Sequence, residues 1–262
     1  MKVTILNPEV LENLYENHGK FACVCYGTDP SKAEGVGKHC QDNNHMSGSR
    51  CEFIKFKITD VDRGTAEQAL RHEIGTTVPY DLLDNYDFTS WMDRVVNVNP
   101  SEIVKNMASF RYIDKGGFNY ATPENIAKYE DTRIAYESLM THICNYRDLI
   151  LKMLSEHGVN EKLANEEVNF VLPRATATEF VIGFSPEALI HFCHKRLCKR
   201  AQPFIQQMAK LMKAEVAKYN ERFANNELKP QCAHLLWCPE GKQSCGLFFT
   251  RKQLEEKLKE LC

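Results

Sequence analysis

Three arginine-bearing segments set the chemistry open to this chain. Gln68, Arg71 and His72 fall at i, i+3 and i+4, so a helix over Arg63 to Ile74 would gather them on one face. Ser109-Phe110-Arg111-Tyr112 sets a hydroxyl two residues before a guanidinium, and Arg196 and Arg200 lie at the edge of an apolar helical stripe. Guanidinium groups stay charged and donate in pairs, a chemistry suited to holding an anion. Plainer readings stand beside it: an Arg-His pair on a solvated helix face, and Arg196 as a helix-edge ion pair. A second group is made of thiols. Cys232, Cys238 and Cys245 recur as C-x5-C-x6-C in a turn-rich segment, with Cys198 and His234 as candidate fourth ligands. That set suits structural zinc, the plainer reading being reduced thiols packed against the domain. Cys23, Cys25, Cys40 and Cys51 form a looser group, read as a strand and a loop.

The elements that must carry these residues can be read from periodicity and punctuation. Lys2 to Leu6 has strand character, and Asn7-Pro8-Glu9 supplies an N-cap, a first-turn proline and an acid for a helix closed by Gly19. Phe53 to Ile58 alternates, with Ile54, Phe56 and Ile58 on the buried face. Asp62 is placed to cap the helix bearing Gln68. Thr122-Pro123-Glu124 opens a long helix with Ile126, Tyr129, Leu139, Ile143, Leu149 and Met153 as core, ending near Gly158. Val168 to Pro173 and Thr178 to Phe184 are rich in β-branched and aromatic residues. Ser185-Pro186-Glu187 then starts another long helix, whose stripe runs from Leu189 through Phe192, Ile205 and Met208 to Met212. This predicts an α+β fold, a central mostly antiparallel sheet flanked by long helices.

A chain of 262 residues with a formal charge of -2 has no global basic field, so nucleic acid is an unlikely partner and any anion must be held locally. No run is apolar and long enough to span a bilayer, and the N-terminus lacks the pattern of an export signal. With that, eleven cysteines read as thiols or metal ligands in a cytoplasmic protein.

Taken in order, the segments resemble the flavin-dependent thymidylate synthases, also called thymidylate synthase complementing proteins. Arg71-His72-Glu73 and Ser109-Phe110-Arg111 are similar to that family's R-H-R and S-x-R motif, with the third position reversed in charge and residues 76–106 inserted between the halves. Ala22-Cys23-Val24-Cys25-Tyr26, His45-Met46-Ser47 and Arg196-Leu197-Cys198-Lys199-Arg200-Ala201-Gln202 resemble further blocks in the family's order, and a C-P-E-x-x-x-C-G tail occurs in some of its members. The resemblance implies C5 methylation of dUMP to dTMP, with methylenetetrahydrofolate giving the carbon, reduced FAD the hydride, and NADPH restoring the flavin. It assigns Gln68, Arg71, Ser109, Phe110, Arg111 and Arg196 to the pyrimidine nucleotide monophosphate, with Arg196 and Arg111 catalytic. His45, Ser47, Arg71, His72 and Ile74 match cofactor positions. The departures fall largely on the cofactor side: Glu73 for Arg, Arg50-Cys51 for Glu-His, and Ser185 and Glu187 for Asn and Arg; Asn169 stands for an Arg that the family associates with nucleotide binding. The expected organisation is a synthase-like domain over 1–225 and a Cys-rich extension over 226–262, assembled as a homotetramer with shared active sites. Two alternatives are carried: a diverged enzyme modifying C5 of another pyrimidine nucleotide, and a non-catalytic nucleotide-binding protein that has lost flavin.

Overall fold

The computed structural model describes residues 1–43, 45–70, 103–108 and 116–261, and for Ser47, residues 103–106 and Leu261 the backbone alone. Strand β1 (Lys2–Ile5) leads into helices α1 (Glu9–Glu12), α2 (Leu14–Tyr26) and α3 (Ala33–Asp42), then a 3-10 turn at Ser47–Cys51. Strand β2 (Ile54–Asp62) runs directly into α4 (Arg63–Leu70), and β3 spans Ile103–Met107. Helices α5 (Glu124–Lys128), α6 (Glu130–Glu156) and α7 (Glu161–Val168) precede β4 (Ala177–Phe184). Helices α8 (Pro186–Arg196), α9 (Pro203–Ala217), α10 (Glu221–Asn226), α11 (Gln231–Leu235) and α12 (Arg251–Leu261) complete the order.

The strands form one sheet in the order β1-β2-β4-β3. Its sense follows from where strand ends meet. Leu6 N–H at the end of β1 donates to Lys55 C=O at the start of β2. Likewise Arg63 N–H, just past β2, donates to Thr176 C=O before β4, and Ala108 N–H, just past β3, to Glu179 C=O early in β4. End meeting beginning at every pair makes the sheet antiparallel, as expected.

By packing, the chain divides into two compact units, one made of residues 1–2, 58–69 and 106–181, the other chiefly of 3–57 and 182–261. In the second, Ile54 and Phe56 are fully buried, and Phe56, Phe184 and Phe192 form a chain of rings with centroids 6.3 and 5.1 Å apart. Such pairs contribute about 0.5–1.5 kcal/mol each beyond the burial of their area. The first unit has its own core, including Ile58, Val61, Ala66, Ala69, Phe180, Met140 and Val168.

Several local expectations are corrected. Gly19 does not close a helix. It lies inside α2, and a Cβ there would stand 1.7 Å from the Ala33 carbonyl oxygen, so α2 and α3 meet backbone to backbone. The closing residue is Gly27, left-handed at φ 60. Asn7 does not cap by its side chain. It extends the β1–β2 ladder instead, its Nδ2 donating to Phe53 C=O at 2.7 Å and its Oδ1 accepting from Lys55 N–H at 2.8 Å. The long helix from Glu124 breaks at Tyr129, where the backbone is extended (φ -107, ψ 131) and the Thr132 hydroxyl donates to the Ile126 and Tyr129 carbonyls. Nor is its stripe core: Tyr129, Leu139, Leu149 and Met153 are exposed, while Met140 and Arg147 are buried. Val168 to Pro173 is no strand; α7 and a 3-10 turn fill that stretch, started by Asn160 Oδ1 accepting from Lys162 N–H at 3.1 Å. Finally, the stripe from Leu189 to Met212 is carried on two helices, because Gln202 Oε1 caps Ile205 N–H at 3.0 Å and Pro203 starts α9 anew.

Candidate active site

Gln68 is positioned by the passage from β2 into α4. Asp62 ends the strand, and its Oδ1 accepts from Thr65 N–H at 2.8 Å, the cap expected of it. Around this helix start lie several buried polar atoms with no hydrogen-bond partner among the described residues: Asp62 Oδ2, Thr65 Oγ1, Gln68 Oε1, Thr176 Oγ1 and Thr178 Oγ1. Each left unmade would be disfavoured by about 1–3 kcal/mol, so their concentration here marks a place prepared for polar contacts. Arg71, His72, Glu73, Ile74, Ser109, Phe110 and Arg111 lie outside the described residues. The chain leaves α4 at Leu70 and β3 at Ala108, the residues directly before each motif half. Ala108 also lines a pocket of about 250 Å3 with Asp60, Asn119, Thr178 and Glu179.

Arg196 is positioned by α8, which Ser185 caps by accepting from Ala188 N–H at 3.2 Å. It stands in the last turn, partly buried, and burial lowers its guanidinium from the ordinary value. A pocket of about 250 Å3 opens beside it, lined also by Arg200, Cys198, Cys232, Cys238 and Cys245. The C-terminal segment is tied to this turn by Arg200 Nη2 donating to Gln243 Oε1 at 2.9 Å. Thus the four cysteines singled out in the sequence do converge on one pocket. Burial raises the Cys232 thiol, and the neighbouring Cys238, Cys198 and Cys245 add to that rise. Among the described residues, no three His, Cys, Asp or Glu side chains stand close enough to share one metal ion.

Above the same turn His194 and His234 stack edge to face at 4.6 Å, and His234 Nε2 donates to the Glu227 carbonyl at 2.9 Å. Burial, with smaller contributions from His234, His191 and Lys195, lowers His194 from 6.5 to about 4. Between those values the unfolded chain binds the extra proton, so the free energy of unfolding falls as pH drops from about 6.5 towards 4. Urea melts across that window should show the fall, and His194→Gln should flatten it; an unchanged slope would remove His194 as its source.

His45 lies on a cleft of about 600 Å3 with Tyr26, Thr28, Lys32 and His39. Its carbonyl accepts from the buried His18 ring at 3.0 Å, and burial lowers the His18 pKa against a smaller opposing pull from that bond. Ser47 opens the 3-10 turn that follows, its side chain being outside what is described. Two of the departures meet on this turn: Arg50 donates through Nε to Glu187 Oε2 at 2.5 Å and through Nη2 to Oε1 at 3.2 Å. Against the pattern the resemblance implies, cation and carboxylate stand exchanged, and here they are paired. Reversing either alone (Arg50→Glu or Glu187→Arg) sets like charges together, whereas the double reversal restores attraction. Because both side chains are substantially exposed, a double-mutant cycle should return a coupling of only about 0.2–1 kcal/mol. Zero coupling would mean the pair is ornamental.

A residue missed in the sequence is Arg147, fully buried on α6. Its Nε donates to Asn169 Oδ1 at 3.0 Å, its Nη1 to Asp148 Oδ1 at 2.7 Å and its Nη2 to Asn165 Oδ1 at 3.5 Å. Asn169, where the resemblance implies an arginine, is thus the acceptor for an arginine carried on α6. Its spacing of seven from Met140 was the available signal.

The antiparallel sheet and its helices define an α+β protein, with Arg196 and Arg200 lining one pocket. Comparison with known proteins agrees. The profile of the thymidylate synthase complementing protein family matches residues 14–219. A protein of Nitratidesulfovibrio vulgaris named flavin-dependent thymidylate synthase is 32% identical over 181 residues, 66% of this chain and 73% of that one. Proteins of the same name from Clostridium tetani and Thermococcus onnurineus are 32% and 27% identical, covering 79% and 76% of this chain and 90% and 69% of theirs. The chain belongs to the thymidylate synthase complementing protein family.

Proposed function

We propose that the protein is a flavin-dependent thymidylate synthase that methylates dUMP at C5 to give dTMP. The carbon comes from methylenetetrahydrofolate as a methylene unit, and NADPH returns the bound flavin to its reduced state. The observation that carries the reading is Arg196, partly buried beside a pocket at the end of α8 and inside the segment matched by the family. A fixed guanidinium beside a uracil carbonyl stabilises the negative charge that builds as C5 becomes nucleophilic, with no covalent attack by the protein. Gln68, Arg71, Ser109, Phe110 and Arg111 hold the nucleotide monophosphate, Arg111 assisting Arg196.

The residues present fit a flavin. The His45 cleft offers an aromatic ring from Tyr26, imidazoles from His39 and His45, and the ammonium of Lys32, a donor set suited to a planar ring bearing a pyrophosphate. His45, Ser47, Arg71, His72 and Ile74 would hold FAD, which when bound and reduced supplies the hydride. The carboxylate of Glu187 is neutralised by Arg50, which removes one objection to an anionic cofactor. The exposed apolar face of α6, with Tyr129 before it and Leu139, Leu149 and Met153 on it, supports a homotetramer that shares its active sites. Residues 1–225 form the synthase-like domain and 226–262 the Cys-rich extension. The cytoplasm, where thiols stay reduced, is the compartment such chemistry suits; among the described residues no helix is long and apolar enough to cross a membrane.

The test is the absorption spectrum of the purified protein, followed by product analysis with dUMP, methylenetetrahydrofolate and NADPH, and sedimentation equilibrium for the assembly. Bound FAD and dTMP are expected. Tight dUMP binding with neither flavin nor flavin uptake would replace this reading with a nucleotide-binding protein, and product from UMP or dCMP alone would point to a diverged enzyme.

A further inference from the structure

We infer that Cys198, Cys232, Cys238 and Cys245 form a structural zinc site that staples the C-terminal segment to the turn between α8 and α9. Three observations converge. The four thiols, drawn from places up to 47 residues apart in sequence, line a single pocket of about 250 Å3. Four soft sulfur donors, beside the single carboxylate of Glu240 in the same lining, match the tetrahedral set that zinc prefers.

The segment carrying three of them has little else to hold it. Beyond Glu227, Leu228 and Cys238 are its buried apolar side chains among the described residues, whereas Leu235, Leu236, Leu247 and Phe249 are exposed. It nevertheless follows a definite path. Cys238 N–H donates to the Phe249 carbonyl at 2.7 Å, and the chain turns sharply at Leu236 (φ 60), Gly241 (φ 49) and Gly246 (φ 80). Short segments with so small a core are ordinarily fixed by a cross-link or a metal. The receiving surface is equally specific: Gln206 Nε2 holds the Cys198 carbonyl at 2.7 Å, and Lys195 Nζ reaches Gln231 Oε1 at 3.3 Å. Since no three of these side chains stand at ligating separations, binding closes them around the ion, with thiol protons released to solvent and zinc–sulfur distances reaching about 2.3 Å.

The site borders the pocket edge held by Arg196, but its test reads metal content and does not depend on the reaction proposed above. Untagged protein is purified without chelator, and its zinc content is measured by mass spectrometry. About one zinc per chain is expected, and Cys238→Ser or Cys245→Ser should lower it several-fold, whereas Cys25→Ser, an exposed thiol outside the pocket, leaves it unchanged. If a ligand variant fails to fold, the intact protein still decides the matter. Cobalt added to chelator-treated protein should give thiolate-to-cobalt charge-transfer absorption, and chelation should expose four additional thiols to a thiol reagent. Absence of zinc with all four thiols already reactive, or iron in its place, overturns the assignment.

Discussion

Arg196→Ala is expected to lower the rate of dTMP formation by about 10²–10³-fold at saturating dUMP, the loss typical when one fixed donor to a developing anion is removed. The reasoning runs through position as much as charge. The side chain ends α8 at a pocket edge, partly withdrawn from water, where a cation acts on a nearby carbonyl more strongly than in solvent. Arg196→Lys keeps the charge but loses the paired donors, so an intermediate rate is expected. Exposed Gln207→Ala on α9, outside the pocket, serves as control. If Arg196→Ala raises only KM and spares kcat, the residue binds the ground state and its catalytic role is wrong. Loss of flavin from the variant would likewise reassign it.

The largest expected effect on stability comes from Gly19→Ala or Gly37→Ala. The added methyl would stand 1.7 Å from the Ala33 carbonyl oxygen in the first case and 1.8 Å from the Tyr15 carbonyl oxygen in the second. Both obstacles are helix backbone, so relief requires α2 and α3 to separate, and these helices carry the buried Leu14, Ala22, Cys23 and Ala33. A loss above about 4 kcal/mol is expected, a large part of the roughly 5–15 kcal/mol that stabilises an ordinary domain. Gly35→Ala on α3 supplies the contrast: a Cβ there meets nothing within 4 Å, so a gain of about 0.5–1 kcal/mol is expected from backbone entropy. Urea unfolding of the three variants measures all of this, and similar midpoints for Gly19→Ala and Gly35→Ala would show the close approach to be wrong.

These two predictions rest on different kinds of legibility. Arg196 could be found in the sequence because the block around it preserves residue type and order, and its place at a helix edge follows from the apolar stripe beside it. Gly19 was misread because a glycine near a predicted helix end has the same local signature whether it turns the chain or lets another helix approach. The partner, Gly37, is 18 residues away and belongs to a different helix. The exposed stripe of α6 was misread for a related reason: periodicity shows that one face is apolar, never what covers it. The breaks at Tyr129 and Gln202 fell inside stripes whose phase continued across them, although Pro203 was a readable interruption.

By itself the sequence determined the alternation that makes β2 half-buried, the caps at Asp62 and Ser185, the antiparallel α+β class and the order of the arginine-bearing blocks, since each follows from interactions within a few residues or from pattern along the chain. Tertiary structure alone decided that Arg50 answers Glu187 across 137 positions, that Arg147 is buried against Asn169, and that cysteines from two distant segments line one pocket. Charge reversal looks like loss when one position is read at a time. It becomes exchange once folding brings the second position within hydrogen-bonding distance.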